Sequence, residues 1–199
     1  MNFFELLQQI REARFEPIAG SELKKVSLEE LGILTFDLMK KACGETNVQS
    51  IPGFRGIEGA QLNVGTRHFD MYTDGISKCD SVKSHQLPRL YISFNWDEKT
   101  RENPEESGEK FSNKEGSAKY PVRQEIQKDT IESIHKIRDG VIRPLSNYAI
   151  CIFYIGIGSR RQSLYSSVLS GSGFKEVRGC AENWVPASLP FDPPTTRLS

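Results

Sequence analysis

The most constraining stretch of this chain is residues 148–157. There Tyr148, Ala149, Ile150, Cys151, Ile152, Phe153, Tyr154 and Ile155 follow one another without a charged or amide side chain. A strand with one wet face alternates apolar and polar side chains, whereas an unbroken run is buried on both faces. The run therefore predicts a central strand with packing on either side. Covering such a strand needs a sizeable core, and 199 residues suffice for one. A chain of this length hides about 70% of its unfolded surface, so neither metal nor disulfide is needed to hold it. The 11 Phe and 6 Tyr favour a packed, β-containing core.

Helices can be read around this run. Residues 2–14 place Phe3, Leu6, Leu7 and Ile10 on one helical face. A second helix starts at Ser27, with Glu30 completing a capping box, and Leu28, Leu31, Leu34 and Leu38 form its stripe. Cys43-Gly44 is its expected end. Gly53, Gly56, Gly59 and Gly65 then punctuate residues 51–69, which read as short antiparallel strands and turns. In 89–96, Leu90, Ile92, Phe94 and Trp96 alternate with Tyr91, Ser93 and Asn95, the pattern of a strand.

Residues 97–119 are almost wholly polar and read as a long surface loop, a candidate lid. Pro121 opens a third helix, which Asp139-Gly140 is expected to stop just after His135. A short helix at 162–169 and a strand at 174–178 follow. Residues 185–199 form an extended tail containing Pro186, Pro190, Pro193 and Pro194. The order predicts one α+β domain over 1–199: a mixed or mostly antiparallel sheet with a buried central strand (148–157) and about four helices packed on it.

The charge balance narrows function. With 26 basic and 26 acidic residues the formal net charge is zero. That argues against a protein held to nucleic acid mainly by counterion release, while leaving room for a local basic site. The four cysteines, Cys43, Cys79, Cys151 and Cys180, form no C-x-x-C pair and read as reduced thiols. No apolar stretch approaches a membrane span and residues 1–15 do not resemble a signal peptide, so the expected setting is cytoplasmic with no membrane partner.

The feature that most invites a ligand is the turn leaving the apolar run: Gly156, Gly158, Ser159, Arg160 and Arg161. Glycines at a strand-to-helix turn let backbone N–H groups point at an anion, and the helix dipole adds to the attraction. Paired arginines can close on phosphate oxygens. The glycine spacing is neither a Walker loop nor a dinucleotide fingerprint. The turn therefore implies a phosphate-bearing ligand, a nucleotide or a nucleic-acid end, and no particular cofactor.

Other constellations point elsewhere. Asp70, with Asp97 and Lys99 beyond the next strand, has the form of a restriction-type nuclease site, in which two acids hold a metal and a lysine helps to activate water. His68, Cys79 and His85 are metal-ligand types beside Asp70 and Asp74, but their spacing matches no tight zinc motif and no metal is assigned. Tyr154-Ile155-Gly156 resembles the second tripeptide of GIY-YIG nucleases, and no Gly-Ile-Tyr precedes it at that family's distance. Cys43 with His68 is a thin hydrolase pair, because a helix C-terminus raises a thiol's pKa. No nucleophile–base pair settles whether the chain is an enzyme. The alternative is a non-catalytic interaction or accessory protein that meets a protein partner through the polar loop and the tail.

Overall fold

The computed structural model describes residues 3–13, 15, 22–64, 67–77, 86–95, 128–155, 159–177, 180 and 182–190; at Phe54, Arg67, Asn95, Ser159, Arg160 and Arg161 it describes the backbone alone. The strands are β1 (Val48–Pro52), β2 (Glu58–Val64), β3 (Arg67–Ile76), β4 (Pro88–Asn95), β5 (Cys151–Phe153), β6 (Phe174–Glu176) and β7 (Asn183–Pro186). They form one sheet in the order β1-β2-β3-β4-β5-β7-β6. β1 to β4 are an antiparallel meander, β4 and β5 run parallel, and β7 is antiparallel to both its neighbours. The main helices are α1 (Phe3–Glu12), α2 (Leu28–Cys43), α3 (Lys128–Ile137) and α4 (Ser159–Ser170). The fold is α+β with a mixed sheet, as the sequence implies.

Side-chain alternation sorts the sheet into two unlike faces. Leu62, Met71, Ile92 and Ile152 join Leu6 and Ile10 of α1, Leu31 and Met39 of α2, Ile134 and Ile137 of α3, and Val168 and Leu169 of α4 in one core. A smaller cluster of Leu87, Cys151, Val177, Val185 and Leu189 contains no helical residue. Cys151 and Ile152 are adjacent, and both are fully buried. β5 is thus covered on both faces, which is what its lack of alternation requires.

Its ladder is shorter than the expected 148–157. Tyr148 makes an isolated parallel bridge with Lys24. Lys24 donates its N–H to Asn147, and Ala149 donates to Lys24, both at 2.9 Å. The backbone before Cys151 is therefore paired outside the sheet, and β4 takes the middle position. The tail also begins later than expected. Val185 and Pro186 end β7, and Lys175 Nζ donates to the carbonyls of Ala187 (2.9 Å) and Leu189 (2.6 Å). The rest of the tail, 191–199, and the polar loop at 97–119 lie outside the described residues.

Helix α2 carries the full capping box, with the Ser27 hydroxyl accepting from Glu30 N–H and the Glu30 carboxylate accepting from Ser27 N–H. Its buried line is Leu31, Thr35, Met39 and Cys43, rotated from the expected leucine stripe; Leu28, Leu34 and Leu38 are half-buried. Gly32 explains the rotation. A Cβ there would lie 2.4 Å from the Glu58 carbonyl oxygen, so the helix seats its glycine on the start of β2.

Helix α3 does not stop at Asp139-Gly140. It continues through a π-turn, Arg138–Ile142, and a last turn, Arg143–Leu145. Pro144 gives a physical reason, since in a regular α-helix its ring would crowd the carbonyl four residues back. The π-turn opens that spacing, and Arg143 N–H donates to the Arg138 carbonyl. Gly140 serves packing: a Cβ there would come within 2.5 Å of Ala42 Cβ on α2. With the helix continuing, His135 does not stand at a helix end as the sequence suggests. Burial, then the Arg138 charge, lower its pKa.

Asp139 clamps the π-turn. It accepts two 2.8 Å hydrogen bonds from Arg138 and lies 3.0 Å from Arg143 Nη1. The Arg138 hydrogen bond holds its carboxyl below the ordinary range, against the effect of burial. A depressed carboxyl pKa contributes stability above the unfolded value, about pH 4, and loses it as the pH falls through the folded one. Asp139→Asn should therefore destabilise the protein at pH 7 by about 0.5–1 kcal/mol, the range for a partly solvated ion pair. Chemical denaturation should show the gap closing below about pH 4; a gap that persists in acid would mean the clamp is not electrostatic.

Candidate functional site

The face of β1–β5 turned away from the helices holds polar and aromatic side chains in rows set by the strand register. Gln49 pairs with Gln61, Gln61 with Asp70, and Asp70 with Ser93. Gln49 donates to the Gln61 amide oxygen, and Gln61 Nε2 donates to Asp70 Oδ1 at 2.6 Å. His68, two residues before Asp70 on the same face, places Nε2 3.5 Å from Asp70 Oδ2. Gln61, His68, Asp70 and Ser93 are all more than nine-tenths buried. A carboxylate in such a place needs bound donors, and the amide supplies one.

Two residues further along β3 runs an aromatic row. Tyr72 and Tyr91 have ring centroids 4.8 Å apart, and Tyr91 and Phe153 5.0 Å. All three rings are half-buried. Gly59 makes room for the first: a Cβ there would lie 2.6 Å from Tyr72 Cβ. Burial first, then Tyr91 and the carboxylates of Asp74 and Asp70, push the Tyr72 phenol up to about 12. Beyond the rings, Arg89 forms a hydrogen-bonded ion pair with Asp74 and lays its guanidinium 4.1 Å from the Phe153 ring centroid.

The expected anion-binding turn lies between β5 and α4 in the chain. β4 and β5 run parallel with Tyr91 opposite Phe153, and β3 brings His68 opposite Asn95 near the carboxyl end of β4. β5 ends at Phe153 and α4 begins at Ser159. Gly156 and Gly158 lie outside the described residues. Ser159, Arg160 and Arg161 form the first turn of α4, with the backbone alone described.

Few of the other sequence candidates lie among the described residues. Asp70 is on β3, but the β4 residue opposite it is Ser93, not an acid; Asp97 and Lys99 lie outside the described residues, as do Cys79 and His85. Among the described residues no group of three or more His, Cys, Asp and Glu could hold a metal ion. Cys43 belongs to the helical core, with its thiol pKa raised by burial, whereas His68 is on the opposite face, so the two make no hydrolase pair. No helix of the described residues is long and apolar enough to cross a membrane.

Sequence reasoning missed the rows because each takes its members from different strands. The local signal was present in β3, where His68, Asp70, Tyr72 and Asp74 alternate with Phe69, Met71 and Thr73. No protein-family model, curated protein or solved structure matches the chain.

Gln61→Leu removes the amide that Asp70 accepts from in a buried setting. It should cost about 1–3 kcal/mol in urea denaturation at pH 7. Gln49→Leu, which leaves that bond in place, should cost less. Equal midpoints for wild type and Gln61→Leu would show that the carboxylate does not depend on the amide.

Proposed function

We propose that this chain binds a phosphate-bearing ligand, a nucleotide or a nucleic-acid end, at the turn formed by Gly156, Gly158, Ser159, Arg160 and Arg161. The observation that supports the reading is the parallel β4–β5 pair, from which the chain passes within six residues into a 12-residue helix that starts with Ser-Arg-Arg. Ligands of open α/β sheets collect outside the carboxyl ends of parallel strands. A helix start favours an anion there, and arginines add charge-assisted hydrogen bonds. The zero net charge suits a local phosphate site better than a long nucleic-acid track.

A second reading, an interaction protein, draws support from α1. Phe4 is 63% exposed, over a shallow depression it shares with Leu7, Gln8, Arg11 and Glu12. Such a patch suits a protein partner rather than a phosphate.

The test is a thermal-shift screen of inorganic phosphate, sugar phosphates, nucleotides and short oligonucleotides against wild type and the Arg160→Ala/Arg161→Ala double variant. Each charge-assisted bond contributes about 1.5–3 kcal/mol, so the variant should lose at least about tenfold in affinity while keeping its unliganded melting temperature. If no phosphorylated compound stabilises wild type more than the variant, the phosphate reading is wrong and the interaction protein becomes the better one.

A further inference from the structure

We infer that Cys151 and Cys180 form a reversible disulfide, with Cys180 the site at which a hydroperoxide modifies this protein; the inference is independent of the phosphate reading. Both residues stand as thiols in the structure. The sheet brings them to one place. β7 lies between β5 and β6, with Phe153 opposite Asn183 and Glu176 opposite Trp184. Three backbone hydrogen bonds hold the turn that follows β6. Val177 N–H donates to the Asn183 carbonyl at 2.8 Å, Cys180 N–H to the Val177 carbonyl at 3.1 Å, and Asn183 N–H to the Cys180 carbonyl at 3.2 Å. Cys180 therefore belongs to the turn of the β6–β7 hairpin. The Cys151 thiol donates toward that turn, to Asn183 Oδ1 at 3.7 Å. Asn183 thus borders both cysteines, and Cys180 packs on the small apolar cluster to which Cys151 belongs. Neighbouring strands are about 4.8 Å apart, and a disulfide spans Cα atoms up to about 7 Å apart. The bond requires only that the turn close over the cluster on which Cys180 already packs.

Exposure divides the roles. Cys180 is half-buried and meets solvent, whereas Cys151 is fully buried. A hydroperoxide in solution therefore reaches the first and not the second. The Cys180 thiolate attacks the peroxide O–O bond and becomes a sulfenic acid, releasing water or an alcohol. The Cys151 sulfur then attacks the Cys180 sulfur; the S–O bond breaks, and the hydroxyl leaves as water with the Cys151 proton. Two thiols give up two hydrogens and two electrons, and the peroxide takes them. An external thiol reverses the step by exchange. Cys43 cannot stand in for Cys151, because it lies in the helical core across the sheet from this cluster. In a reducing setting a bond of this kind is transient and redox-sensing. Here it would fasten the β6–β7 hairpin to β5.

The test exposes the full, reduced chain to hydrogen peroxide, unfolds it in iodoacetamide without reductant, and maps the cysteines by mass spectrometry after proteolysis. Wild type should lose two of its four thiols. The monomer should yield a peptide pair joined through Cys151 and Cys180, with Cys43 alkylated, and dithiothreitol should restore all the thiols. Cys79→Ser should keep the link. In Cys151→Ser, Cys180 should instead advance to the sulfinic acid, because the thiol that would capture its sulfenic acid is gone. Should that variant fail to fold by circular dichroism, Cys151→Ala takes its place. Cys180→Ser should leave Cys151 alkylated after the same exposure. The inference is overturned if wild-type Cys180 reaches the sulfinic acid while Cys151 remains a thiol. It is equally overturned by a disulfide from Cys180 to Cys79, by a link found only between two chains, or by a Cys180 untouched at a peroxide dose that oxidises glutathione.

Discussion

The register between β3 and β4 is the constraint on which the rest of this structure depends. With Asp70 opposite Ser93 and Tyr72 opposite Tyr91, Phe69, Met71, Leu90 and Ile92 all face the helices. A slip of β3 by one residue would turn Phe69 and Met71 outward and bring His68, Asp70 and Tyr72 into the core. Placing an imidazole, a carboxylate and a phenol among the apolar side chains of the helical core would be costly, so one apolar pattern orders both the core and the opposite face. Phe69 and Phe94, edge to face at 4.9 Å, strengthen the pairing from the core side.

The same register positions helix α4. Phe94 stacks on Tyr165 at 4.8 Å, Tyr165 stacks on Tyr154 at 4.4 Å, and the Tyr165 hydroxyl accepts the Phe94 N–H at 2.8 Å. Tyr154 follows β5 directly, so these rings tie β4, the exit from β5 and the middle of α4 together. Helix α4 is thereby held against the helical face of the sheet.

Some of this was legible in the chain and some was not, for physical reasons. The capping box at Ser27 and Glu30 involves neighbours in sequence, and it formed as read. The burial of Ile150 and Ile152 followed from composition alone. The length of β5 did not, because it depends on Lys24 claiming the backbone around Tyr148. Nor did the passage of α3 through Gly140, where contact with Ala42 outweighs the usual role of a glycine as a helix stop. The candidate site divides in the same way. Local motifs drew attention to residues 156–161 and to His68 and Asp70, but the partners Gln61, Tyr91 and Phe153 come from three other strands. Only the register can assemble them.

The two faces of the sheet bear different costs, and the contrast is informative. On the helical side, burial of apolar area stabilises the fold. On the other side, Asp70 is more than nine-tenths buried, and its carboxylate is tolerated through the Gln61 amide and the nearby His68. Buried ionic groups of this kind are seldom the most stable solution, and apolar residues of similar volume often do as well or better. Packing the fold thus gives no account of why a carboxylate, an imidazole and two amides lie in register beside three half-buried rings. Ligand recognition, the reading proposed above, would give one. Fixed donors and acceptors held in register are what holding a ligand requires, and the helical core keeps the strands rigid enough to hold them in place.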